Sequence, residues 1–243
     1  MSKENFTPLE HPIDVMPLMH KAFRAVTGRT EAQAAEATTV EDIAQLNEAF
    51  GFWVEQIRYH AAVEDELMTG PLKGDGPVRE CVRDNEDEHA VLAGKAGELA
   101  RFIAMGNSAG VKESVRAAAF TLEEEQHKEL EDRFHEVEDA LCKVLGDKKV
   151  TARTIRHIHS RVMRVRILEL DHFENEEAFV CPLVRDEIDE AGQLYIVRRL
   201  LIDDSAKDPR WVIDWVHSEL DEADQALLED LEARFQAAVV QPA

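Results

Sequence analysis

Apolar residues recur at three- and four-residue intervals along the chain rather than alternating, and proline and glycine interrupt the pattern sparsely. An all-α fold is expected. The first helix should begin between His11 and Asp14, carry Val15, Met16, Met19, Phe23 and Val26 inward, and fade before Thr38. The second runs from Thr39 to Thr69 on the stripe Ile43, Leu46, Phe50, Trp53, Ile57 and Leu67, and is expected to stop at Gly70-Pro71. A third is expected over 78–105, with Val82, Leu92, Ala96, Leu99 and Ile103 on one face. A fourth spans Val111 to Leu145 on Val115, Leu122, Leu130, Phe134, Val137, Leu141 and Val144. A fifth spans Thr151 to Asp189 on Ile155, Ile158, Val162, Val165, Phe173, Val180 and Leu183. The tail beyond Ser205 reads as one short and one longer amphipathic helix, with Trp211 and Trp215 as packing anchors. This divides the chain into a bundle over 1–190 and a helical extension over 191–243 that packs on it.

Charge narrows the partners. A formal net charge of −22 opposes binding to a phosphate backbone, so nucleic acid is not an expected partner. No apolar run is long enough to span a membrane and the N-terminus lacks the pattern of a signal peptide, so a cytoplasmic protein is the default expectation. Cys81, Cys142 and Cys181 form no close pair and read as buried free thiols rather than a disulfide framework or a zinc ribbon.

Most of the 50 acidic residues belong to solvated helix surface, but a few fall where the stripe should be apolar. His60 and Glu64 stand in the middle of the second stripe, between Ile57 and Leu67. His172 and Glu176 interrupt the fifth, and Glu169 shares their face. His20 lies beside Met19 and Phe23 on the first. Burying unpaired carboxylates is costly, whereas a cation compensates several of them and takes neutral imidazoles as ligands. A histidine and a glutamate four apart are one turn apart, so both reach one ion, or the carboxylate bridges to a second. The segments HAAVEDELMTGPL at His60 and HFENEEAFVCPL at His172 form a weak internal repeat.

These residues resemble the hemerythrin-like, or HHE cation-binding, family: His20 on the first helix, His60 with Glu64 on the second, Glu88-His89 on the third, and His172 with Glu176 followed by acids and proline. The resemblance runs from Pro12 to Leu183 and implies a hemerythrin-like up-and-down helical bundle with an extra long helix and a C-terminal helical appendage. The fourth helix is extra to a four-helix pattern and offers a competing histidine, His127. His89, near the centre of its stripe, is ranked above His127 at the edge of its own, and Glu131 reads as a surface acid. His135, His157, His159 and His217 lack a glutamate at matching spacing on an apolar face.

Imidazole and carboxylate donors without thiolate suit iron or manganese and admit zinc. The resemblance implies two irons, with the histidines as terminal ligands and Glu64 and Glu176 bridging beside an oxo or hydroxo group. It also implies a small diatomic or peroxide ligand, with the protein acting as carrier, sensor or scavenger of dioxygen, nitric oxide or peroxide. An enzyme decomposing hydrogen peroxide is the alternative. A metal-free helical scaffold is a third reading, disfavoured by the cost of burying such a cluster.

Overall fold

The computed structural model describes residues 7–72, 108–147 and 149–239. Among the described residues there are seven helices and no strand. After a 3-10 turn at Pro12–Val15 come α1 (Met16–Glu36), α2 (Val40–Glu64), α3 (Ser108–Asp147), α4 (Ala152–Asn175), α5 (Glu190–Leu201), α6 (Trp211–Glu219) and α7 (Glu222–Val239). Short connections force α1 and α2, and α3 and α4, to lie antiparallel. α1 packs on α2 and α4, and α3 packs on the same two helices, which closes an up-down-up-down bundle with α2 and α4 on a diagonal. The expected third helix over 78–105, with Cys81, Glu88 and His89, lies outside the described residues.

Local chemistry sets the helix starts. Thr39 caps α2 by accepting from the Asp42 amide at 3.1 Å, while the Asp42 carboxylate accepts from the Thr39 amide at 2.8 Å. Thr151 caps α4 through the Thr154 amide at 3.2 Å.

The expected stop at Gly70-Pro71 is corrected: α2 widens into a π-helical turn at Asp65–Thr69 and continues through Gly70–Leu72. α4 does the same, with a π turn at Glu176–Val180 followed by Cys181–Glu187. In each case the residue before the proline donates its amide five residues back, Gly70 to Asp65 and Cys181 to Glu176. A proline in a regular helix clashes with the carbonyl four residues earlier and leaves it without a donor; the wider turn accommodates both problems. A Cβ at Gly70 would stand 2.7 Å from the Asp65 carbonyl oxygen, so a larger residue there would force this turn to shift.

The stripe on α3 also differs from expectation. Val115 is exposed and Leu122 only half-buried, whereas Phe120, Glu123, Leu130, Phe134, Val137, Leu141 and Val144 are buried. The inward face is rotated by about one residue, because Glu123 and His127 occupy it where the other helices place the charged level of the core. Cys142 is exposed, against the expectation of a buried thiol; it follows the inward Leu141 and so faces outward, while Cys181 is buried as expected.

The C-terminal helices cover α1 and α2. Trp215 packs edge-on against Phe23 and Trp211 against Tyr59, whose hydroxyl donates to the Arg199 carbonyl at 2.5 Å. α5, which the sequence pattern did not mark off, contributes Leu194, Ile196, Val197, Leu200 and Leu201 to the same core as the bundle. No described helix is long and apolar enough to cross a membrane.

Candidate metal centre

The apolar core is interrupted at one level. His20 from α1, His60 and Glu64 from α2, Glu123 from α3, and His172 and Glu176 at the end of α4 are all buried; the His127 side chain on α3 is one-tenth exposed. They divide into two groups. His20, His60 and Glu176 each bring a ligand atom within 4.8 Å of the others, and Glu64, Glu123, His127 and His172 do the same. Within the first group His20 Nε2 is 3.2 Å from Glu176 Oε2. Within the second, His127 Nε2 is 3.4 Å from Glu64 Oε2 and 3.5 Å from Glu123 Oε1. His172 Nε2 is 3.9 Å from Glu64 Oε2. Glu64 also touches the first group, with Oε1 2.6 Å from His60 Nε2.

These close approaches are not hydrogen bonds. His20 Nε2, His60 Nε2, both oxygens of Glu64, His127 Nε2, His172 Nε2 and both oxygens of Glu176 are buried without a hydrogen-bond partner. Orphaned polar atoms at this density are rare in a native core and call for a missing partner. Metal–ligand bonds of about 2.0–2.2 Å separate neighbouring ligand atoms by about 3 Å, the spacing found here. Nitrogen and oxygen atoms that converge without pointing at one another are arranged as edges of a coordination polyhedron. The donor set fits a bound metal cation.

The electrostatics agree. Burial pushes the Glu176 carboxyl well above its ordinary range, and the facing Glu64 and Glu123 push it further. Burial would also raise Glu64, but the imidazoles of His60, His127 and His172 overcome it and hold this carboxyl well below the usual value. Burial lowers His20 to about 4 and lowers His172 well below its ordinary value, with His127 adding to the effect. Burial opposes protonation of His127 too, yet Asp65 and Glu64 together raise it to about 10. The neutral imidazoles of His20 and His172, the charged Glu64 and a Glu176 carboxyl that cannot comfortably hold its charge are groups a cation would stabilise, while His127 would release its proton on binding one.

The far sides of two rings are fixed by acids. His20 Nδ1 lies 2.7 Å from Glu177 Oε1, which Arg24 also contacts at 3.2 Å. His127 Nδ1 lies 3.2 Å from Asp65 Oδ1. Glu177 follows Glu176 as Asp65 follows Glu64, so the two hairpins are related by an approximate exchange: each supplies the acid that orients the outer histidine of the other. Phe173 stacks on the His20 ring with centroids 4.0 Å apart. Glu177→Ala is expected to weaken metal binding by about 10–100-fold, with Glu177→Gln retaining part of the loss because it still offers an acceptor. Competition against a chelator checks this; unchanged affinity in both variants would remove Glu177 from the site.

Residues 11–124 match the family model described as Hemerythrin HHE cation binding domain. Over those residues the chain is similar to the hemerythrin HHE cation-binding family. No curated protein and no solved structure matches the chain. The hemerythrin match ends just past Glu123 and short of His127, His172 and Glu176, which the fold brings to the same level as His20, His60 and Glu64. His89 lies inside the matched span but outside the described residues. His127, ranked below it in the sequence, stands within reach of Glu64, Glu123 and Asp65.

Glu123 was missed in the sequence. It lies four residues before His127, whereas attention fell on the acid four residues after it, and it opens a run of three glutamates that hides which one turns inward. Glu131 is at the surface, bonded to Arg58 at 2.6 Å. His135, His159 and His217 lie 3.2, 3.5 and 3.1 Å from Glu131, Glu31 and Glu229, away from the two donor groups.

Proposed function

We propose that this hemerythrin-like bundle holds two iron ions and binds dioxygen or a related small oxidant as a carrier, sensor or scavenger. The observation that carries the reading is the division of seven inward-facing donors into two groups that share Glu64. His20, His60 and Glu176 hold one ion, and His127, His172 and Glu123 hold the other, with Glu64 reaching both. Manganese or zinc also suit the donors, but an iron pair supplies the one-electron steps that dioxygen, nitric oxide and peroxide chemistry requires.

The chain's own residues limit what reaches that pair. Phe23, Ile57, Leu130 and Phe173 close the core around the donors and exclude bulk water. Four residues before His127 stands Glu123, a donor; four residues before His20 stands Met16, buried and with no oxygen to offer. With Glu64 shared, each group has four protein donors, and the two differ in what supplies the further carboxylate, Glu176 at the end of α4 or Glu123 on α3. Glu177 keeps His20 turned toward Glu176 at that position.

Metal analysis and an absorption spectrum of protein made with ample iron test the reading. Two irons per chain and a near-ultraviolet band of a bridged ferric pair are expected; one metal or fewer, or a colourless zinc protein, would overturn it. Mixing the reduced protein with dioxygen then separates the roles. A reversible adduct supports binding, whereas sustained oxygen release from hydrogen peroxide in the presence of a mild chelator would assign it to a peroxide-decomposing enzyme.

A further inference from the structure

Four glutamates are buried on the bundle helices, Glu64, Glu123, Glu169 and Glu176, and three of them belong to the two donor groups. Glu169 does not. It stands on α4 one turn before His172, with none of its surface exposed. Its Oε1 accepts a hydrogen bond of 2.5 Å from Trp53 Nε1, across the diagonal between α2 and α4. Its Oε2 is buried without a hydrogen-bond partner.

An ionised carboxylate in this position would be poorly supported. From α1, Arg24 and Thr27 face it, but the Arg24 guanidinium is held by Glu177 and the Thr27 hydroxyl donates to the Arg24 carbonyl at 3.4 Å. On α4 itself, Arg166 bonds to Glu31, and His172 lies on the next turn toward the metal groups. From α2 comes the single indole donor, and α3 presents Phe134 against that indole. A buried carboxyl with no cation in contact favours its neutral form. Burial pushes Glu169 up to about 8, with Trp53 first and then the Thr27 hydroxyl opposing.

Resting on the reading above, we infer that Glu169 is the internal proton store of the centre, holding on Oε2 a proton that the small oxidant takes up when it is reduced. A bound iron pair would supply the two electrons that take dioxygen to hydrogen peroxide; of the two protons required, Glu169 would give one and solvent the other, leaving a Glu169 carboxylate held by Trp53 that solvent reprotonates. Glu169 is a positioning and proton-holding residue, since no donor group includes it.

Infrared spectroscopy of the full chain tests this. Iron-loaded wild-type protein at pH 7, in which Glu176 would be a deprotonated ligand, should show a protonated-carboxyl stretch that fades as pH rises through about 8 and is missing from Glu169→Gln. In reduced, iron-loaded protein that band should bleach in the same phase as the iron spectrum when dioxygen is added. Glu169→Gln should slow that phase by at least about 10-fold while iron content is unchanged. Trp53→Phe should keep the band and shift its frequency, separating loss of the proton from loss of the hydrogen bond. No band sensitive to Glu169→Gln, or a band unmoved while the variant oxidises at the wild-type rate, would overturn the inference and leave the iron assignment standing. A protein that takes up no iron would sink both.

Discussion

Replacing Glu64 by alanine is expected to strip metal from both groups at once. Its Oε1 lies 2.6 Å from His60 Nε2, and its Oε2 lies 3.4 Å from His127 Nε2 and 3.9 Å from His172 Nε2. Loading after gel filtration should fall from about two ions per chain to less than one. The bundle should still form, because the change also removes a negative group facing Glu176. Glu131→Ala is the control: it breaks an exposed pair with Arg58 worth about 0.2–1 kcal/mol and should leave loading intact. Equal loss in the two variants would mean that stability, not ligation, was being read.

Removing the metal should cost the protein much of its thermal stability. A ligand that binds only the native state, present about a thousandfold above its Kd, stabilises by about 4 kcal/mol. For a chain of this size that corresponds to about 8–16 °C in Tm. Calorimetry before and after chelation measures the difference, and a Tm unaffected by chelation would count against a structural centre. The pH dependence adds a sign. Glu176 has its folded pKa raised above the unfolded value, by burial first and then by Glu64 and Glu123. His127 is also raised, to about 10, Asp65 and Glu64 overcoming burial. Both groups hold more protons folded than unfolded, so their contribution is present at low pH and lost as pH rises. Below about pH 6.5 the lowered His20 and His172 act in the opposite sense, so the metal-free protein should lose Tm chiefly above that value, as His127 and Glu176 give up their protons. The depressed Glu64 acts oppositely, but only below its unfolded value, where protonation removes its contribution. In loaded protein the donors are already deprotonated and the slope should flatten.

Much of this architecture is visible in the sequence, for physical reasons that also explain the gaps. α1, α2 and α4 each carry a long apolar stripe, so a charged residue inside it is conspicuous; His20, His60, Glu64, His172 and Glu176 stand out for that reason. α3 is less legible. Acids surround its inward face, and two apolar residues off that face, Val115 and Leu122, draw the stripe away from His127. Taking Phe120, His127, Leu130, Phe134, Val137 and Leu141 as the stripe would have placed His127 at its centre and brought in Glu123. The π turns were legible only as a repeated proline, because periodicity near 3.6 cannot reveal where a helix widens by one residue.

The exchange of acids between the hairpins has a consequence for the order of events during synthesis. The first group combines His20 and His60 with Glu176, and the second combines Glu64 with Glu123, His127 and His172. No continuous stretch shorter than 20–176 contains the first group, and the second cannot close before residue 172 is in place. A chain emerging from the ribosome thus offers only partial chelates until the end of α4 has been made and folded back. Loading of the proposed centre would therefore wait until Glu176 is in place, and a chain broken off earlier has no complete cage in which to trap an ion.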